Sequence, residues 1–414
     1  MDKAFFQVVS VNEFLKLCQQ FTPISKTYRQ PLTASLQAVL AEDVLAHEDL
    51  PPFSRSSMDG YAVRSADTFG AGEMNPVYLH NKGEIHIHRL PEFDLRAGEC
   101  AAIVTGAGLP KGADSVVMIE HTQEIGAGDI EIRRAVAPGE NMMYQGEDCQ
   151  ADQVQVFAGT RLRPQELSIL AALGYSEVET YQPPRVAIIS TGDEIIPVNE
   201  FPQPGQIRDV NTHSIYSWIK LIGGDPQIYG IIPDDLNQLK GVLAQAVPDN
   251  DMVMISGGSS VGTRDLTLKA IQTLPESKIL AHGVSLSPGK PTILAQSGSL
   301  PILGLPGQVT SVQVVMLVLG LPFLRHLSGE HRPKEDLIHA SVTAKMARNV
   351  ASKQGREDYV RVQLIQEGQN SLTAYPLLGK SGLLKTLLHA DGLVCIPSYS
   401  EGLSQDEQVQ VWLI

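Results

Sequence analysis

Between Val186 and Gly258 short apolar runs alternate with helical patterns, and a glycine-bearing turn closes the last of them. Val186 to Ile189 reads as a buried strand. After a loop, Ile215, Trp218, Ile219 and Leu221 recur at helical spacing and stop at Gly223-Gly224. Ile228 to Ile232 is a second strand, Asp234 caps a helix carrying Leu236, Leu239, Val242 and Leu243, and Met252 to Ile255 is a third strand entering Gly257-Gly258. Strands alternating with helices imply a mostly parallel sheet, because parallel neighbours need a crossover. Ligands of such sheets sit beyond the carboxyl ends of the strands. Function is expected in those turns.

The flanks have a different texture. A chain of 414 residues with 43% hydrophobic content is enough for two to four domains at roughly 100–200 residues each. Val11 to Leu17 and Leu36 to Ala41 show helix-like apolar spacing, as do Leu167, Ile169, Leu170, Ala171 and Leu173 before Gly174. Pro51 to Asn141 is cut by Gly and Pro into short alternating runs, which reads as a small β-rich domain. Pro183-Pro184 marks a boundary. Beyond a charged link from Glu330 to Asp336, strand patterns return at Ile338 to Val342, Tyr359 to Leu364 and Val409 to Leu413.

A net charge of −14 excludes a general electrostatic grip on nucleic acid or anionic membrane, so any anionic ligand is held locally. Val312 to Leu324 contains Gly320 and Pro322 and falls short of a membrane span, which needs about 20 apolar residues. The start, Met1-Asp2-Lys3-Ala4-Phe5, lacks the pattern of a secretory signal, and a cytoplasmic location is expected. Cys18, Cys100, Cys149 and Cys395 form no CxxC pair and read as reduced structural thiols. His86-Ile87-His88 could set two imidazoles on one strand face, but without a third ligand nearby it reads as a solvated face.

Chemistry concentrates at the strand ends. In Ser190-Thr191-Gly192-Asp193-Glu194 the carboxylates are either Mg²⁺ ligands or part of an ordinary polar turn. Ser256-Gly257-Gly258-Ser259-Ser260 lets backbone N–H groups and hydroxyls approach a phosphate, without the Lys-Ser/Thr ending of a Walker loop. Asp265 then begins a helix as a cap or as a metal ligand. Pro288-Gly289-Lys290-Pro291 fixes one cation between two prolines, and Gly304-Leu305-Pro306-Gly307 opens a helix whose N-terminus attracts anions. Pro51 to Arg64 is a dense polar loop that either packs or closes over a ligand.

Together these residues resemble the MoeA family of molybdopterin molybdenumtransferases, to which the gephyrin and plant Cnx E domains belong. The resemblance rests on PPFSRSSMDGYAVR at 51–64, VTGAGLPKGADSVVMIE at 104–120, STGDEI at 190–195, SGGSSVG at 256–262, PGKP at 288–291 and GLPG at 304–307, in that order. It implies a multidomain α/β plus β fold. An elongated helical domain would span 1–50 and 147–182, an inserted β-rich domain 51–146, a central α/β molybdopterin-binding domain with a mostly parallel sheet 183–328, and a small C-terminal β domain 329–414.

The implied reaction inserts molybdate into adenylylated molybdopterin with release of AMP in a Mg²⁺-dependent step, in a homodimer whose active site lies between subunits. Carried over by motif, Glu194, Asp234 and Asp265 serve Mg²⁺ or the phosphates, and Asp59, Thr105 and Asp148 come from other domains. Thr191, Gly192, Asp193, Ser256 to Ser260, Pro288 to Pro291, Pro306 and Gly307 bind the substrate, while Lys290, Ser311, Arg356 and Ser381 match positions associated with oxyanion binding. Molybdopterin adenylyltransferase is the implied supplier. Two departures stand out: Ser287 replaces a usual lysine before Pro288, and Val309 a usual proline. They keep open a tungstate-preferring enzyme or a protein of the same fold that binds or delivers the cofactor without catalysis.

Overall fold

The computed structural model describes residues 8–126, 128–257, 261–331, 340–367, 371–379 and 382–414, and for 261–265 the backbone alone. The chain divides into two compact units, Met1–Glu42 with Ala158–Leu167 and Glu177–Ile414, and Asp43–Phe157 with Ser168–Ser176.

Strand β1 (Arg185–Thr191) explains how the larger unit is built. Its residues alternate between two cores. Val186 and Ile188 join Ile215, Ile219, Val312 and Phe323 on one face, while Ala187 and Ile189 join Leu239, Leu243, Ala270 and Ile271 on the other. A strand buried on both faces is the mark of a sheet covered by helices on each side. The chain continues through α1 (Asn211–Leu221), β2 (Asp225–Ile232), α2 (Leu236–Asp249), β3 (Met252–Gly257), α3 (Val261–Ile271), β4 (Ser277–His282), β5 (Ile293–Ser297) and β6 (Leu300–Leu305). The sheet order is β2-β1-β3-β6-β5-β4. Strands β2, β1, β3 and β6 run parallel, and β5 pairs antiparallel with both β6 and β4. The expected parallel sheet therefore has an antiparallel border, because β5 and β6 are joined by a short turn that permits no crossover.

Helix α4 (Val309–Leu327) is long and apolar enough by length and composition to cross a membrane, yet 72% of it is buried inside the protein. Gly320 and Pro322 do not break it. Its middle, Met316–Gly320, is a π-turn, and Pro322 falls at the first turn of the α-helical part that follows, where its missing N–H is tolerated.

The segments expected to form an elongated helical domain contain two short helices among the described residues, Val11–Cys18 and Pro164–Ala172. The first carries a capping box between Ser10 and Glu13 and packs Val11, Phe14 and Cys18 into the core with Phe323. Leu36 to Ala41 is not helical. Gln37 is left-handed at φ 66°, and Val39 and Leu40 form bridges with Arg161 and Thr180.

Arg161 is the polar centre of this region. Its Nε lies 2.8 Å from Glu330 Oε2, Nη1 donates to Gln37 O and Ile222 O, and Nη2 donates to Ser328 Oγ. Both ion-pair side chains are almost wholly buried.

The chain ends in a second sheet with its own core, built from β7 (Ser341–Met346), β8 (Glu357–Glu367), β9 (Ser371–Pro376), β10 (Gly392–Ile396) and β11 (Gln408–Leu413). Strand β8 pairs with both β9 and β10, so the order β8-β9-β7-β11-β10 closes on itself and leaves few free edges. The smaller unit holds a six-stranded sheet, with Gly60–Val63 between Ser115–Met118 and Glu99–Ile103. All four cysteines are free, and burial pushes the Cys100 and Cys395 thiols up to about 12, which makes them poor nucleophiles.

Candidate functional site

At the carboxyl ends of β1 and β3, Thr191 and Gly257 are register partners. The chain leaves β1 toward α1 on one face and β3 toward α3 on the other, so the crevice between them is the point where the sheet's winding reverses. A Cβ on Gly257 would stand 2.1 Å from Thr191 Oγ1 at a φ of +151°, which reserves the position for glycine. Ser256 is fully buried on the opposite face with its partner Ser190, and neither hydroxyl has a hydrogen-bond partner among the described residues.

The next turn gathers acids. Gly192 N donates to Ile232 O at 3.1 Å, and Asp234 N donates to Asp193 Oδ1 at 3.0 Å, so the loop after β1 is tied to the end of β2. Glu194 folds back until its Oε2 would lie 2.8 Å from a Cβ on Gly192. Burial first, and then the charges of Asp193 and Glu194, raise the Asp234 carboxyl above the usual range. Asp234 does not cap α2. Asp235 does, accepting from Gln238 N at 2.8 Å, because the β-to-helix turn is one residue longer than the sequence reading placed it. The Asp234 carboxylate is hydrogen-bonded by the Asp193 backbone rather than spent on capping the helix.

Gly258, Ser259 and Ser260 lie outside the described residues. Asp265 is the fifth residue of α3, past the first turn, so it is no N-cap. Gly257, Pro291 and Pro306 line one small crevice, and Asn211 Nδ2 donates to Gly307 O at 3.0 Å. Ser311 is buried in the first turn of α4, and Lys290 is exposed. The pair Leu286-Ser287, just before Pro288-Gly289-Lys290, bridges in parallel to Glu357-Asp358 of β8. The proline-bound lysine turn thus stands beside the turn carrying Arg356.

Arg356 is already committed. Its Nε lies 3.1 Å from Asp358 Oδ1 and its Nη2 donates to Asp358 Oδ2 at 3.2 Å. Arg361, five residues along, was not singled out by the sequence. It is 8% exposed, its Nη2 donates to Gly379 O at 3.2 Å, and its Nε and Nη1 have no partner among the described residues. A desolvated guanidinium without a carboxylate is held for an anion more readily than one in an ion pair. The only signal in the sequence was an arginine at a core-facing strand position. Ser381 lies outside the described residues.

In the smaller unit, Asp59 precedes Gly60–Val63 and Thr105 follows Glu99–Ile103, and the antiparallel pairing of these strands sets the two together. Thr105 N and Oγ1 donate to Asp59 Oδ1 at 2.7 and 2.8 Å and hold its carboxyl below the usual range. Thr105→Val removes the hydroxyl bond and keeps the backbone one, so the Asp59 pKa is expected to rise part of the way to an ordinary aspartate; an unchanged carboxyl titration by NMR would refute this. Asp148 is exposed. His86 and His88 stack at 5.9 Å, and among the described residues no three His, Cys, Asp or Glu side chains are placed to hold one metal ion.

Comparison with known proteins follows the same layout. Residues 9–174 match the model of the MoeA N-terminal region, 187–326 a probable molybdopterin binding domain and 343–414 the MoeA C-terminal region. A putative molybdopterin biosynthesis protein of Methanocaldococcus jannaschii is 33% identical over 97% of this chain and 96% of its own length. The chain belongs to the MoeA family. The molybdopterin molybdenumtransferase of Bacillus subtilis is 31% identical over 98% of this chain and 94% of its own. A MoeA crystal structure from Pyrococcus horikoshii covers 98% of this chain and 100% of that chain at 30% identity, with a TM-score of 0.82. The part matching the probable molybdopterin binding domain contains the crevice between β1 and β3.

Proposed function

We propose that this chain is a molybdopterin molybdenumtransferase that inserts molybdate into adenylylated molybdopterin and releases AMP. Its place in molybdenum cofactor biosynthesis follows from its family. The observation that carries the detailed reading is the gathering of Asp193, Glu194 and Asp234 beside the Thr191–Gly257 crevice. Crowded carboxylates with a raised acid among them are a set that a hard divalent cation would relieve.

Mg²⁺ is held by a few carboxylates, with phosphate oxygens and water completing its shell. Glu194 and Asp234 would be those ligands, joined by Asp265, and the ion would supply charge neutralisation at the pyrophosphate. The rest is the work of this chain's own groups. Gly192, Gly257 and the turns at Pro288–Pro291 and Pro306-Gly307 bring backbone close to the phosphates. Lys290 and Ser311, with Arg361 in place of the committed Arg356, bind the oxyanion. Asp59, kept ionised by Thr105, would act from the partner subunit of a homodimer.

Arg361→Met is expected to raise the molybdate concentration for half-maximal AMP release about ten- to a hundredfold, the value of a charged hydrogen bond, with melting temperature unchanged or higher. An unchanged requirement would return the role to Arg356. The reading as a whole is tested by AMP release from adenylylated molybdopterin with Mg²⁺ and molybdate, tungstate or neither. Oxyanion-dependent release supports it. Intact substrate binding without release indicates a carrier whose activity was lost with the changes at Ser287 and Val309.

A further inference from the structure

Helix α1 turns a polar stripe toward α4. Asn211, Ser214 and Trp218 follow one another at the three- and four-residue steps that keep side chains on one helix face. Trp218 Nε1 donates to Gln313 Oε1 at 2.6 Å, and Gln313 Nε2 donates in turn to Ser214 Oγ, which ties helix to helix. The bond from Asn211 ends elsewhere. Its Nδ2 donates to Gly307 O, in the turn that leaves β6 and opens α4. Asn211 is 5% exposed, and its Oδ1 has no partner among the described residues. A carbonyl only accepts, so the amide nitrogen must face Gly307 and the oxygen is the free end. A buried acceptor without a partner costs stability, a cost that helix packing alone does not explain.

We propose that Asn211 is a positioning residue of the enzyme, which sets the Pro306-Gly307 turn for the substrate's phosphates. The inference rests on the transferase reading above, in which that turn brings backbone close to the phosphates. In a planar trans peptide the C=O and N–H point opposite ways. Holding the Gly307 carbonyl against Asn211 therefore aims the following N–H, that of Gln308, away from α1. A peptide turned the other way would present its carbonyl oxygen to an anion and repel it. Asn211 thus keeps the donor side of the turn toward the phosphates. The Trp218–Gln313–Ser214 bonds hold the same two helices together but do not touch the turn. Orientation of the turn and packing of the helices are therefore separable by substitution.

The test compares Asn211→Leu, close in size and neutral, and Asn211→Ala, which cannot crowd its site, with Trp218→Phe, which cuts the helix-to-helix tie and leaves Gly307 held. The whole protein is titrated with inorganic pyrophosphate by calorimetry. Both Asn211 variants are expected to bind it about tenfold or more weakly than the parent. Asn211→Leu should keep the parent's melting temperature, because the lost bond is offset by removal of the unpaired acceptor. Trp218→Phe should show the opposite split, melting lower and binding as the parent does. Three results overturn the proposal: no binding by the parent at millimolar pyrophosphate, Asn211 variants that bind as tightly as the parent, or Trp218→Phe weakening binding as much as they do. AMP release separates the two claims. Release by the parent, with pyrophosphate affinity and substrate KM unchanged in the Asn211 variants, sinks the role of Asn211 alone. Weakened binding in those variants without release by the parent sinks the transferase reading and leaves Asn211 as the residue that sets a phosphate-binding turn.

Discussion

Arg161→Ala is expected to cost about 3–5 kcal/mol of stability, because it strands a buried charge. Glu330 would keep Arg325, at the longer distance of 3.8 Å, as a cationic neighbour. The carbonyls of Gln37 and Ile222 would also lose a donor. These two groups and Ser328 come from three separate stretches of the chain, so one side chain fixes their mutual register. Urea denaturation, followed by Trp218 and Trp412 fluorescence, should show the midpoint falling sharply. Replacing both partners, Arg161→Met with Glu330→Leu, is expected to recover much of the loss, since a well-packed apolar pair avoids the desolvation of two charges. A single-variant loss below about 1 kcal/mol would mean that the pair behaves like a surface salt bridge.

Asp234→Asn is expected to stabilise the metal-free protein while it disables the enzyme. Burial and the Asp193 and Glu194 charges raise the Asp234 carboxyl, so the folded chain holds that proton more tightly than the unfolded chain. Its contribution to stability is therefore full at acid pH and is lost as the pH rises from the ordinary carboxylate range through the raised value. At neutral pH and without Mg²⁺ the variant should melt above the parent, and the advantage should vanish in acid. Adding Mg²⁺ should raise the melting temperature of the parent and leave the variant nearly unmoved, by mass action on the folded state. AMP release by the variant should fall by about a hundredfold or more, the scale set by removal of one preorganised charge-stabilising group. Equal Mg²⁺ responses in the two proteins would remove Asp234 from the metal site.

The strand-end turns could be read directly. Val186 to Ile189, Ile228 to Ile232 and Met252 to Ile255 are short apolar runs whose period and spacing belong to covered strands, and each lies within an observed strand. Leu36 to Ala41 misled for a physical reason. Apolar spacing over six residues fits both a helix turn and a bridged loop, and the pairing of Val39 and Leu40 with distant Arg161 and Thr180 decided between them. The cap of α2 was misplaced between adjacent aspartates, which sequence alone does not distinguish.

The sequence by itself determined the α/β alternation, the family and the acids at the strand ends, since these depend on local period and on residue types in fixed order. Only the tertiary structure decided which charges remain available. Arg356 and Arg361 are both arginines of one strand region, but Asp358 lies against the first, and the second is buried with no carboxylate partner among the described residues. Asn211 likewise carries no signal in the chain. Folding buries it against the Gly307 carbonyl, and burial is what turns an ordinary amide into a fixed donor whose oxygen is left unpaired among the described residues.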